Sequence, residues 1–270
     1  MGKLKDLGMV KTANSDSFVY TPPDAAIAAK LILVKANLAY PKKHPATVSM
    51  PVLGSVLRGL RRASPLGRIV IVESSMSDMN ILGIYEVLGV DKLLDAEMRV
   101  GNAEQLIMDN YPNTSPEPVK YTAMRAPAYI RGYDCVITVG TFKRVSLHGH
   151  PHISASTKNL FGLFPREEYG REGSYIREQL HEPSIPEVLK DVYFSIGHYF
   201  HGAVVDLTEK YVNSDERTDS EEALTEPVGK VVWGDDMLAV DEAACKLVGE
   251  DVPEYIHEIR RLKKKLKTQF

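Results

Sequence analysis

Short apolar runs of strand length alternate along this chain with stretches whose apolar positions recur at helical spacing. Leu31–Val34, Arg68–Val72 with IVIV at its heart, Cys135–Val139, Ala203–Val205 and Lys230–Trp233 read as buried strands. Val52, Val56 and Leu60 define a helix that Thr47 caps, with Arg58, Arg61 and Arg62 on its other face. Further helices are expected over Asn80–Leu88, Ile185–Tyr199, Met237–Val248 with Gly249 as its stop, and Pro253 to about Leu266. Ser17–Tyr20 reads as a short edge strand, and Pro22, Pro23 and Asp24 open a small helix through Ala29. Between Asp91 and Met124 the pattern weakens. It predicts a helix over Ala103–Asp109, a loop over Tyr111–Pro118 and a short strand over Val119–Thr122. Arg166–Gly173 and the acidic stretch Asn213–Glu226 read as exposed.

Strands alternating with helices predict an α/β fold, a mostly parallel or mixed sheet flanked by helices. One large domain is expected over 17–252, after a loose N-terminus at 1–16 and before a basic C-terminal helix at 253–270. The weak pattern leaves room for an inserted subdomain around 91–133.

Composition narrows the function classes. At 44% apolar and 26% charged the chain can bury an ordinary globular core. A net charge of −3 argues against a nucleic-acid binder, although Lys42, Lys43 and the tail RRLKKKLK are basic. The two cysteines, Cys135 and Cys245, both sit in apolar runs, which fits buried thiols in a reducing compartment. Two cysteines cannot hold a four-cysteine iron–sulfur cluster, so none is expected in this chain. The N-terminal residues lack a secretory apolar core, Asp6 stands where a myristoylation signal needs Ser or Thr, and no apolar run has the length of a membrane span. A soluble cytoplasmic protein with no membrane contact is the expectation. The phosphate-loop, dinucleotide and nucleophile-elbow glycine motifs are missing from the sequence.

Candidate chemistry gathers where strands run into polar residues: Lys35 and Asn37, Glu73 and Ser74, Lys143, Asp206, and Asp235 with Asp236. Ligands of open α/β sheets sit at the carboxyl ends of strands, so these residues are expected to converge. After the strand Cys135–Val139, a polar loop starting at Gly140 carries Lys143 and three histidines, His148, His150 and His152. Alternate residues of an extended chain point the same way about 6.5 Å apart. The imidazoles can therefore hold a divalent metal (Zn, Fe, Ni or Mn), with Asp206 or Glu73 adding a carboxylate, or they can cap helices and face water. SASTKNLFG then predicts a helix ending near Gly162 and Pro165. Lys143 and Lys158 are of the type that holds a carboxylate or phosphate, or acts as a base when burial lowers the pKa. Asn159 fixes their loop. Lys35 and Asn37, followed by Lys42, Lys43 and His44, form a second basic cluster suited to an anion. Asp241, inside a helix among alanines and Val240, reads as a buried structural partner.

Taken in order, LILVKANL, HPATVSMPVLGSVL, RIVIVESS, DCVITVGTFKRVSLHG with STKNLFGLFP, LHEPSIPEVLKDV, HGAVVDL and VGKVVWGDDMLAVDEAACKLVG resemble the domain of unknown function number 362. This family is uncharacterised and is often found beside ferredoxin-type modules. The resemblance implies that Lys35, Asn37, Lys143, His148, Lys158, Asn159, His181, Asp206, Asp236 and Asp241 occupy the family's polar motif positions. Ala36 replaces the usual proline, Asp236-Met237 stands where Asp-Pro is usual, 213–226 is acidic instead of glycine-rich, and the cluster cysteines are missing.

Together these readings predict an enzyme acting on a small anionic metabolite, its reaction type open. Lys143, His148, Lys158 and Asp206 are its catalytic candidates. Lys35, Asn37, His44, Asn159 and Ser74 would bind substrate, and His148, His150 and His152 a metal. The rival expectation is a non-catalytic accessory protein docking a ferredoxin-type or biosynthetic partner, and a homodimer fits either reading.

Overall fold

A computed structural model describes residues 9–147, 150–213 and 223–268, without the side chains of Leu147, His150 and Pro151. In chain order the elements are β1 Lys11–Asn14, β2 Leu31–Ala36, α1 Met50–Ala63, β3 Arg68–Glu73, α2 Ile81–Leu88, β4 Met98–Asn102, β5 Met108–Pro112, β6 Ala123–Pro127, β7 Cys135–Leu147, β8 His150–Ser154, α3 Arg166–Tyr169, α4 Ile185–Ser195, β9 Gly202–Val212, β10 Leu224–Gly234, α5 Met237–Leu247 and α6 Glu254–Thr268.

An eight-stranded mixed sheet runs β1-β10-β9-β7-β2-β3-β4, with β8 paired to the far end of β7. β9, β7, β2, β3 and β4 are mutually parallel, whereas β10 runs antiparallel to β9, and β1 antiparallel to β10. The central strands are apolar on both faces because both faces are covered, as a parallel sheet requires. Side-chain alternation splits their residues between two cores. Leu33, Val136, Ala203 and Val205 pack with α4, α5 and α6; Ile32, Val34, Cys135, Ile137 and Val204 pack with α1 and α2. The helix α6 buries Tyr255, Ile256, Ile259 and Leu262 in the first core, so its basic end extends from a packed element. The expected layered α/β fold is what the chain forms. Among the described residues no helix is long and apolar enough to cross a membrane.

Several expected elements shift, each for a local reason. The helix α1 begins after Ser49 instead of Thr47, whose hydroxyl donates to Lys42 O at 2.6 Å. Residues 11–14, read as loose, add β1 to the edge of β10, while Ser17–Tyr20 forms no strand. Ala103–Gln105 makes only a single tight turn before β5, which pairs with β6 in a separate two-stranded sheet. The strand expected at Val119–Thr122 lies later because buried Asp191 of α4 takes the amides of Val119, Lys120 and Tyr121 at 2.8–3.0 Å. Those amides are then not available to a ladder. The polar segment after Gly140, expected to be a loop, continues β7: Lys143 pairs with Ser154 of β8 on one side and Tyr211 of β9 on the other. Main-chain pairing on both sides keeps this polar run extended.

Candidate functional site

A cavity of about 680 Å³ lies at the carboxyl ends of β2, β3 and β7. Lys35, Asn37, Glu73, Lys143 and Asn159 line it, together with Val145, His152 and Ser154 of the β7–β8 hairpin. The tight turn Lys158–Leu163 contributes Lys158, Phe161 and Gly162. The segment from Gly173 to Arg177, with His181 beyond it, completes the wall.

The Lys158–Leu163 turn is set from behind by α5. Asp241, fully buried, accepts from Ser156 N at 2.8 Å and Oγ at 2.5 Å, and from Thr157 N at 3.0 Å and Oγ1 at 2.7 Å. Burial raises its pKa, and these donors oppose the rise. The structural reading of Asp241 is thereby met by the geometry. Asn159 then joins two strand tips. Its Nδ2 donates to Lys35 O at 3.1 Å, Thr138 Oγ1 at 3.0 Å and Val139 O at 3.2 Å, while its Oδ1 accepts from Lys35 Nζ at 3.0 Å.

Two buried lysines at the cavity differ in their surroundings. Lys35 Nζ donates to Glu73 Oε2 at 2.7 Å, Asn159 Oδ1 at 3.0 Å and Ala36 O at 3.4 Å. Glu73 is held in turn by Leu38 N at 3.2 Å and Ser74 N at 2.9 Å. Burial lowers the Lys35 pKa, and the Glu73 carboxylate opposes it. Lys143, only 4% exposed, donates to Ala46 O at 2.7 Å and Asn37 Oδ1 at 3.4 Å. Among the described residues no carboxylate forms an ion pair with it. Burial, with Lys158 and Lys35 nearby, lowers its pKa to about 7 against the pull of Glu73.

Other expected residues lie behind this cavity. Asp206 is fully buried and does not line it. Its oxygens accept from Ser49 N at 2.9 Å and from Thr208 N at 2.9 Å and Oγ1 at 2.7 Å, with His44 Nδ1 at 3.4 Å. His44 is also absent from the lining. Its Nδ1 faces Thr47 O at 3.2 Å and its Nε2 accepts from Glu209 N at 3.0 Å, which assigns the proton to Nδ1. Both residues fix the loop that carries Ala46 O to Lys143. Ser74 Oγ, buried, donates to Gly162 O at 2.9 Å and accepts from Arg177 Nη2 at 2.7 Å. Asp235 and Asp236, expected at the same rim, line a separate cavity of about 400 Å³, because β10 runs antiparallel to β9. Asp236 there caps α5, accepting from Leu238 N and Ala239 N at 2.9 and 3.0 Å.

Of the three histidines, His152 lines the cavity. His148 lies outside the described residues, as does the side chain of His150. Among the described residues no three His, Cys, Asp or Glu side chains converge to hold a metal. Sequence reasoning missed Arg177, which sits in the polar run REGSYIREQL with no periodic signal. Its guanidinium, 3% exposed, reaches Ser74, Glu104, Phe164 O and Met76 and ties the Gly173–Arg177 segment to β3.

The contact at Gly162 gives a direct test. A Cβ there would lie 2.2 Å from Glu73 Oε1 and 2.9 Å from Lys35 Cε. Gly162→Ala is expected to lose about 1–3 kcal/mol in urea unfolding, the usual cost of overpacking. A loss under about 0.5 kcal/mol, within ordinary surface scatter, would show that the pair and the turn are not in contact.

A family model described as a domain of unknown function, DUF362, matches residues 32–246. The chain belongs to the DUF362 family. The DUF362 match runs from β2 into α5, so it contains every lining residue named above and leaves out β1 and α6. No curated protein matches the sequence. Among solved structures, this DUF362 chain is similar to the lactate racemase apoprotein from Thermoanaerobacterium thermosaccharolyticum, with 12% identity and a TM-score of 0.43 over 76% of this chain and 47% of that one. The chain thus spans about half the length of that protein, and a likeness this faint carries nothing about chemistry.

Proposed function

We propose that this DUF362 chain is an enzyme that takes a small anionic metabolite into the large cavity and moves a proton at Lys143. Lys158 holds the anion beside the Lys35–Glu73 pair. One observation carries the reading: Lys143 is a buried lysine on the cavity wall that a carbonyl and an amide oxygen hold in place of a carboxylate. Such an amine exchanges its proton near neutral pH, as a general base must. The surrounding charge favours an anion, since Lys35, Lys158 and Arg177 line the cavity against Glu73 and Asp78. Lys158 Nζ stands 4.1 Å from the Phe161 ring centre, which steadies a cation at the wall. His152, on the same wall, is the described member of the histidine set that would serve as second proton carrier or metal donor.

Thermal unfolding against a panel of small carboxylates and phosphates tests the binding half. At 100 times its Kd an anion adds about 2.7 kcal/mol of stability. Lys158→Ala is expected to weaken that anion at least tenfold, on the order of one lost charge-assisted hydrogen bond. If no member of the panel raises the wild-type Tm, the reading falls.

A further inference from the structure

We infer that Lys143 is a nucleophile toward carbonyl compounds: its Nζ condenses with the carbonyl carbon of a 2-oxo acid bound in the cavity and forms a Schiff base. The inference rests on the reading of the cavity as an anion site and names its substrate class.

The argument is a count of donors and acceptors. An ammonium has three N–H donors and no lone pair, whereas a neutral amine has two donors and one lone pair. Lys35 faces three acceptors, one of them a carboxylate at 2.7 Å, and so uses every donor an ammonium has. Lys143 faces two, Ala46 O at 2.7 Å and Asn37 Oδ1 at 3.4 Å. Two acceptors consume the donors of the neutral amine and leave its lone pair for the cavity that Lys143 lines. Burial and the neighbouring cations Lys158 and Lys35 favour the same neutral form. This is how a lysine is activated for carbonyl chemistry. Neither Ala46 O nor Asn37 Oδ1 can donate to a substrate carbonyl through these contacts, so Lys158 has that task. Lys158, on the same wall, attracts the carboxylate of an oxo acid and brings its adjacent carbonyl to Nζ.

The step balances without an oxidant or reductant. Nζ attacks the carbonyl carbon, the C–N bond forms, and the π pair moves to oxygen, which takes a proton from the Lys158 ammonium. The nitrogen returns one proton to Lys158. The C–O bond then breaks, the oxygen leaves as water with a second proton, and the nitrogen lone pair closes the C=N bond. The sum is amine, ketone and proton giving iminium and water. The iminium withdraws electrons from the neighbouring carbon, which is where a subsequent bond cleavage or proton loss would be eased.

The whole chain treated at pH 7 with sodium cyanoborohydride and glyoxylate, pyruvate, 2-oxoglutarate or phenylpyruvate tests this. The four probes span sizes that a cavity of about 680 Å³ admits. Peptide mass mapping of the wild-type protein locates the reduced adduct, so the result does not depend on a variant folding. At least one probe is expected to label Lys143 over any other lysine by at least about tenfold, since an ordinary lysine is almost wholly protonated at pH 7. Acetate, propanoate, glutarate and phenylpropanoate, which lack the carbonyl, should leave no label. Lys158→Ala should slow labelling while Lys143 remains the labelled position. Thermal shifts recorded on the same mixtures separate two failures. A probe that raises Tm but labels no Lys143, or labels surface lysines equally, overturns the Schiff base and leaves the anion site standing. If neither the oxo acids nor the controls move Tm and Lys143 stays unlabelled, both are overturned.

Discussion

Replacing Glu73 by alanine is expected to destabilise the protein by about 3–5 kcal/mol, the usual loss when one partner of a buried ion pair is removed. The carboxylate is 2% exposed and joins three elements at one point: Lys35 of β2, the amide of Leu38 beyond it, and the amide of Ser74 after β3. Without it, Lys35 keeps only Asn159 Oδ1 and a weak contact to Ala36 O, and its burial is uncompensated. Urea unfolding of Glu73→Ala measures the loss through the midpoint at constant slope. The double variant Lys35→Met, Glu73→Leu should recover most of it, because a buried pair is often matched by apolar residues of similar volume. A single variant within about 1 kcal/mol of wild type, the range of exposed pairs, would mean that water reaches Lys35 and that the cavity floor is open.

How much of this floor could be read from the sequence follows from where its residues sit. Lys35, Glu73 and Lys143 each end or extend an apolar run, and a polar residue at the end of a buried strand is visible without a structure. Asn159 and Lys158 were legible because they interrupt an otherwise apolar turn. Asp206 obeys the same rule at the end of an apolar run, yet it serves the loop behind Lys143. A strand-end position tells which rim a side chain shares, and only the register and the crossing loops tell whether it faces a ligand. Asp235 and Asp236 failed at an earlier step. KVVW is too short to reveal its direction, and an antiparallel β10 carries them to the opposite rim. Arg177 was illegible for the opposite reason: its burial comes from long-range partners, Ser74 and Glu104, that lie 103 and 73 residues away. The extension of β7 past Gly140 was hidden because main-chain pairing with β8 and β9, not apolar content, holds it.

Lys143→Met is expected to make the protein more stable than wild type at pH 7 and below, and less so as the pH rises toward 10. The direction follows from proton binding. An unfolded lysine titrates near 10.4, and in the folded chain burial brings Lys143 to about 7. Between those values the unfolded state holds more protons, so wild-type stability rises with pH through that window. Below the folded value the penalty is fully present, roughly 5 kcal/mol for a shift of this size. Above the unfolded value it is gone. Methionine removes the titration while filling similar volume, and it forfeits the hydrogen bonds to Ala46 O and Asn37 Oδ1, of which the one at 3.4 Å is weak. With about 1 kcal/mol lost for each good hydrogen bond, a net gain of a few kcal/mol remains at pH 6 and turns into a small deficit at pH 10. Lys35, whose pKa is also lowered, adds a slope of the same sign in both proteins. Urea unfolding of the two proteins at pH 6, 8 and 10 gives that difference directly. Parallel curves would mean that Lys143 keeps an ordinary pKa, and the cavity would then hold a fourth permanent cation where the proposed chemistry needs a neutral amine.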